Sequence, residues 1–321
     1  LIRTPLCNLL GVEYPIIQGG MAWAGTAELA AAVSNAGGLG IIGAGNAPGD
    51  WVRRQVRLAR QWTKKPFGVN IMLMSPFAKE IVELVIEERV PVVTTGGGNP
   101  GVHIPRFKQA GIIAIPVVSA VALAKRLERA GADAIVAEGM ESGGHVGETC
   151  TLPLVPQVVD AVKVPVIAAG GFADGRGLVA ALALGAQGVQ MGTRFLCATE
   201  CIAHANYKLK IIAAKDRDTT VSGHTTGHPV RTLENKMSRQ FQALEKNGAS
   251  MEDLERFGEG KLRLAVVDGD MENGSIMAGQ IAGLVCEVKP AREIVREIMD
   301  EAEAVIARLP AYVRSSEAVR G

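Results

Sequence analysis

Aromatic residues are scarce in this 321-residue chain, at only 4%. Proteins that grip single-stranded nucleic acid stack bases on aromatic platforms, so that class is poorly served here. A net charge of +1 also offers no electrostatic footprint for a phosphate backbone, and no nucleic-acid partner is expected. The cysteines are few, odd in number and scattered: Cys7, Cys150, Cys197, Cys201 and Cys286. That pattern argues against a disulfide framework and for a reducing compartment. Cys197 and Cys201 are spaced to share a helix face, but no His or carboxylate pattern completes a zinc set, so no metal site is expected. Long hydrophobic runs are missing too. The longest, Ile112 to Ala124, is shorter than a membrane span and contains Pro116 and Ser119. The opening LIRTPLCNLL lacks the apolar core of a signal peptide. These features together predict a cytoplasmic protein without a membrane segment.

Glycine, by contrast, is abundant, with 38 residues. It punctuates a repeated phrase in which a short β-branched run is followed by an Ala/Leu-rich helical pattern. The runs are Tyr14 to Gly20, Gly38 to Gly43, Phe67 to Met72, Val90 to Thr95, Ile112 to Val118, Ala132 to Gly139, Val164 to Gly171 and Gly188 to Phe195. They are apolar almost throughout, as strands buried on both faces are. Eight such units in βα alternation predict a (β/α)8 TIM barrel of the α/β class. Gly38-Leu39-Gly40-Ile41-Ile42-Gly43 matches the G-x-G-x-x-G of a doubly wound dinucleotide fold, but its glycines span the strand instead of following it. They are read as packing glycines.

The alternation stops after Phe195. Residues 197–270 are more polar and mixed in charge, too long for a connection, and are read as a smaller inserted domain after strand eight that covers the active site. The barrel then comprises 1–196 and 271–321, with Ala291 to Leu309 as a closing helix.

Chemistry in such barrels sits at the C-terminal ends of the strands. Gly170-Gly171 and Gly192-Thr193 end strands seven and eight, the usual phosphate site, and offer bare backbone N–H groups with one hydroxyl. Asn46, Asn70 and Glu138 fall near the barrel axis, where a polar group needs a partner. A flavin ring has matching carbonyl and N–H edges, and hydrogen bonds among the three are the competing reading. His145 lies in Gly143-Gly144-His145, a glycine-rich loop past strand six that opens onto the active face. Its near-neutral titration suits proton transfer, and it is the catalytic candidate.

Read in order, IIQGGMAWAGTAELAAAVSNAGGLGIIGAGNAP, KPFGVNIMLMSPF, VVTTGGGNP, VAEGMESGGHVG, PVIAAGGFADGRG, GTRF and GSIMAGQIAGLV closely resemble the FMN-dependent enoyl-acyl carrier protein reductases of type II, within the nitronate monooxygenase superfamily. The nitronate oxidisers resemble the chain at Gly143-Gly144-His145 as well, but usually carry Gln where Glu138 stands. Thr226 to Arg231 also looks like the reductases. The resemblance implies FMN held by Gly20, Met21, Ala22, Asn46, Asn70, Glu138, Gly143, Gly144, Ala169, Gly170, Gly171, Met191, Gly192 and Thr193, with Met277, Ala278, Gly279 and Gln280 returning to the flavin. It further implies NADH or NADPH as reductant, enoyl-acyl carrier protein as partner, a homodimer, and in some members a response to a monovalent cation. Nitronate oxidation by FMN and oxygen is the alternative activity. Acyl carrier protein is acidic. Of two basic clusters, the insert's Lys208, Lys210, Lys215, Arg217, Arg231, Lys236 and Arg239 are the docking candidates, whereas Arg53, Arg54, Arg57 and Arg60 are read as a solvated helix face.

Overall fold

The computed structural model describes residues 2–312. Residue 1 and residues 313–321, which the sequence reading assigned to the barrel, lie outside the described residues. In chain order the strands are β1 (Ile16–Gln18), β2 (Leu39–Gly43), β3 (Phe67–Met72), β4 (Val92–Gly96), β5 (Ile113–Val118), β6 (Ile135–Glu138), β7 (Gly144–His145), β8 (Val166–Ala169), β9 (Gly188–Met191), β10 (Thr219–Ser222) and β11 (Val230–Leu233). β1 through β6, β8 and β9 form a closed parallel barrel, sealed where Ile17 of β1 pairs with Gln190 of β9. All eight expected strands are present. The last ends earlier than expected, because Gly192 turns the chain and Thr193–Leu196 is helical.

Two apolar layers explain why continuous hydrophobic runs were needed. One lies between the barrel and its helices and draws on Ile42, Val69, Ile71, Val93 and Ile135. The other fills the interior with Ile17, Leu39, Ile41, Val92, Ile115, Val136 and Ile167. A short helix, Pro5–Leu10, adds Leu6, Cys7 and Leu10 to this inner cluster. It stoppers the barrel at the N-terminal ends of the strands, where Thr4 Oγ1 donates to Gln187 O at 2.6 Å. The glycines of β2 are packing glycines, as expected. A Cβ on Gly40 would overlap Ala30 O, so the helix Ala27–Asn35 rests directly on the strand backbone.

Past β9 come helices Ala205–Ile212, Lys236–Lys246, Met251–Gly258 and Lys261–Val266 and the hairpin β10–β11. The hairpin takes its third strand from the barrel side: β7 pairs antiparallel with β11, Val230 opposite His145 and Arg231 opposite Gly144. Buried residues of this region, including Cys201, Tyr207, Ile211, Leu233 and Val266, belong to the same cluster as the barrel's outer layer. The final helix Ala291–Arg308 packs on Gly175–Ala183 and Ala27–Asn35, between the last and first outer helices. It fills the place of the eighth barrel helix after a detour of the chain.

Candidate active site at the barrel mouth

The pleat of the strands decides what faces the barrel axis, because alternate residues share a face. Val92 and Val136 belong to the inner apolar cluster, so Thr94 and Glu138, two residues on, point the same way. Asn70 is in register with Thr94, and Gln190 with the inward Ile17. The interior therefore changes character along its axis. Apolar layers fill its lower part, and Asn70, Thr94, Glu138 and Gln190 form a polar layer at the C-terminal ends of the strands. Gln190 was not singled out by the sequence reading. A lone amide in the otherwise apolar β9 was the available signal.

Only part of this layer is satisfied by protein. Asn70 Nδ2 donates to Thr94 Oγ1 at 2.9 Å. Among the described residues, Gln190 Oε1 is buried and makes no hydrogen bond. Leaving such a group unmet costs about 1–3 kcal/mol, which a polar ligand at the mouth would recover. Among the described residues Glu138 has no counter-ion; burial pushes its acid up to about 7, and a hydrogen bond from the Ser142 hydroxyl opposes that shift. Asn46 departs from the expectation of a buried group near the axis: it follows β2 but is exposed.

Around this layer the loops interlock. A Cβ on Gly20 would overlap the Asn70 side chain, and a Cβ on Gly45 would stand 2.5 Å from Ala22 Cβ. Gly170, at φ +83°, leaves only 2.6 Å to Gly139 O, while Gly171, also left-handed, would meet nothing closer than Glu141 Cβ at 3.5 Å. Gly192 has an ordinary φ of −105°, and its nearest neighbour would be Met21 Sδ at 3.6 Å. Backbone strain and packing thus account for glycine at 170, whereas at 192 the protein leaves room for a Cβ in ordinary contact with Met21. Ala169 and Met191 are buried strand ends whose carbonyls accept from Gly139 and Gly19 N–H, both at 3.0 Å.

The segment Met277-Ala278-Gly279-Gln280 does return to this mouth and is tied down on several sides. Gly279 N–H donates to Thr193 Oγ1 at 2.9 Å, and Gln280 N–H to Glu141 O at 2.9 Å. The buried Tyr207 hydroxyl donates to Met277 O at 2.8 Å, and Thr232 bridges Met277. A Cβ on Gly143 would lie 2.6 Å from Ala278 C, so the two chains touch backbone to backbone.

His145 sits on the arm that this packing fixes. The loop is not loose: β7 pairs with β11, Val146 N–H donates to Pro229 O at 3.0 Å, and Arg231 Nε donates to Met140 O at 3.1 Å. Arg231, only 4% exposed, also donates from Nη1 to Thr219 Oγ1 at 3.0 Å. Burial, with a smaller effect from His228, holds the His145 pKa below its ordinary 6.5, so the imidazole is neutral near pH 7. A neutral ring carries one N–H donor and one bare nitrogen, the right equipment for holding a carbonyl oxygen or moving a single proton.

The basic clusters also resolve. Arg53, Arg57 and Arg60 converge on Glu88 at 3.0, 2.9 and 2.9 Å, so three of the four form an ion-pair network between helices. Lys208 is no free docking charge: its Nζ donates to Ala198 O at 2.7 Å and Cys201 O at 2.6 Å. Lys210 is exposed beside Arg239, which pairs with Glu234 at 2.9 Å.

A closed eight-stranded α/β barrel with a polar, glycine-rimmed mouth and a half-buried neutral histidine beside it defines a barrel enzyme. The chain belongs to the nitronate monooxygenase family, which matches residues 3–83 and 75–301. Among solved structures it is similar to FabK from Thermotoga maritima, with 52% identity and a TM-score of 0.95 over 98% of this chain and all of that one. A (3aS,4S,5R,7aS)-5-hydroxy-7a-methyl-1-oxo-octahydro-1H-indene-4-carboxyl-CoA dehydrogenase of Mycobacterium tuberculosis (strain ATCC 25618 / H37Rv) is 35% identical, covering 94% of this chain and 96% of its own. A probable nitronate monooxygenase of Staphylococcus aureus (strain JH9) is 34% identical over 95% of this chain and 98% of its own.

Proposed function

We propose that this protein reduces trans-2-enoyl-acyl carrier protein to acyl-acyl carrier protein with NADH or NADPH, through bound FMN, as the last step of the bacterial fatty-acid elongation cycle. The observation that carries the reading is the 52% identity to FabK across nearly the whole chain. The mouth fits such a cofactor. Among the described residues Gln190 Oε1 is buried without a partner, and at Gly192 a Cβ would meet nothing closer than Met21 Sδ at 3.6 Å. Asn70, Glu138 and Gln190 would meet the ring, with Met277 to Gln280 closing over it. The N–H groups of Gly170, Gly171, Gly192 and Thr193 would hold the phosphate. When bound, FMN supplies hydride transfer between the nicotinamide and the enoyl thioester.

The protein's own part is orientation and protons. His145 would hold the N–H of its neutral ring toward the thioester carbonyl oxygen, where negative charge grows as Cβ is reduced; delivering the Cα proton itself would instead require the imidazolium form. Residues 197–270 cover the mouth, exclude water and, through β11, keep the His145 arm in place. Cytoplasmic residence, a homodimer and a monovalent-cation response belong to the same proposal. Among the described residues, no helix is long and apolar enough to cross a membrane.

A second reading, nitronate oxidation with oxygen as acceptor, is favoured by the family match and the staphylococcal relative. His145 would then act as a base. One experiment separates the two: bleach the bound flavin anaerobically with NAD(P)H, then add crotonyl thioester or a nitronate. Rapid return of colour with crotonyl thioester alone is expected. No response to the thioester, together with oxygen consumption driven by nitronate, overturns the reductase reading.

A further inference from the structure

Glu138 is the last residue of β6, paired with Ala169 and facing the barrel axis one turn of the pleat above Val136. Its carboxyl makes no ion pair among the described residues. The neighbouring strands β5 and β8, and the returning segment Ile276 to Gln280, bring no ionisable side chain. On its own arm, the Glu141 carboxylate is occupied by the Thr151 N–H and hydroxyl, the latter at 2.7 Å. Arg231 spends its guanidinium on Met140 O and Thr219 Oγ1. His145 is neutral near pH 7 and supplies no positive charge. An ionised carboxylate in that place would be a half-buried negative charge with no cation beside it, eased only by the Ser142 hydroxyl.

We propose that Glu138 meets the flavin ring as an uncharged carboxylic acid, donating as well as accepting a hydrogen bond, so that flavin binding requires Glu138 to keep its proton. The inference rests on the flavin reading above. The edge of an isoalloxazine alternates carbonyl and N–H groups. An ionised carboxylate can only accept, and would set its lone pairs against a ring carbonyl, whereas the acid matches both group types as a carboxamide does. Seating the ring strips the remaining water from Glu138, which disfavours the charged form further. Burial has already brought its acid up to about 7 before any ligand arrives. The group is thus poised to be charged in the free protein and neutral in the complex over the mildly alkaline range.

The test is flavin affinity against pH, read by quenching of flavin fluorescence, for the wild type and Glu138→Gln. Riboflavin is titrated beside FMN, because the FMN phosphate has its own ionisation near about 6. From about pH 7.5 to 9 the wild-type dissociation constant should rise by up to tenfold per pH unit for both ligands, while Glu138→Gln stays level and binds at least as well at the alkaline end. Calorimetry on the wild type in buffers of different ionisation heat gives an independent reading, which stands even if the variant folds poorly. Riboflavin binding near pH 8 should take up a substantial part of one proton. A level wild-type affinity, the same slope in Glu138→Gln, or no proton uptake overturns the inference while leaving the flavin reading intact. Failure of FMN and riboflavin to bind at any pH overturns both.

Discussion

Gly20 and Asn70 compete for one space: a Cβ on Gly20 would overlap Asn70 Cβ and stand 2.6 Å from Asn70 Cγ. The strand-one loop is thereby laid over the amide that strand three holds in the polar layer, and Asn70 is braced by Thr94 at 2.9 Å. Gly20→Ala should displace Asn70, break that bond and cost about 1–3 kcal/mol, as overpacking in a filled site does. Thermal unfolding of the cofactor-free protein measures the loss. The double change Gly20→Ala with Asn70→Gly should recover much of it. If Gly20→Ala is as stable as the wild type, the close approach is not what fixes the loop.

Gly192 makes the opposite prediction. Its φ is ordinary, and a Cβ there would make only ordinary contact with Met21, whose Sδ stands at 3.6 Å. Gly192→Leu should fold with an unchanged circular-dichroism spectrum and lose FMN affinity by on the order of a hundredfold, which corresponds to about 3 kcal/mol. Riboflavin, lacking the phosphate, should lose less. Equal losses for both ligands would place the phosphate elsewhere.

His145→Ala should retain FMN and slow enoyl reduction by on the order of 10²–10⁴-fold. The pH profile carries a second signature. The folded pKa lies below 6.5, so the neutral ring persists down to that lower value and the acid limb of kcat should fall below pH 6.5. For stability the sign is the same. The unfolded chain takes up the proton first, so stability is complete above 6.5 and is lost as pH falls from there through the folded pKa. An acid limb unchanged in His145→Ala would remove the residue from the mechanism.

Lys208 and Lys210 should behave differently under charge reversal. Lys208→Glu removes two donors from the Ala198 and Cys201 carbonyls and should destabilise the fold by roughly 1–3 kcal/mol. Lys210 is exposed, and Lys210→Glu should leave unfolding nearly unchanged while raising KM for carrier-linked substrate only. The effect should fade with added salt, since exposed charges are screened beyond about 8 Å at physiological ionic strength. A matching rise for crotonyl thioester would assign Lys210 to the substrate pocket instead of carrier docking.

The barrel was legible in the sequence because its signals are local. A strand buried on both faces must be apolar residue after residue, and a helix that packs on it must open and close within a few residues of Pro or Gly. The eight repeats show this one after another, from Ile16–Gln18 to Gly188–Met191. The rim glycines were legible for a similar reason, since strand-to-helix turns are short. What the chain alone could not show depends on distant segments meeting. Gly143 and Gly279 are glycines because two backbones touch there, 136 residues apart in the chain, and neither has a local turn that demands it. The His145 loop reads as loose glycine until β11 pairs with it. Lys208 looks like a free surface charge until the Ala198 and Cys201 carbonyls are seen around its ammonium. Gln190 and Glu138 were visible as polar residues in apolar strands, but their state was decided by the closed barrel. Closure restricts water and, among the described residues, brings no cation beside Glu138, and no single segment of sequence can encode what the other seven strands withhold.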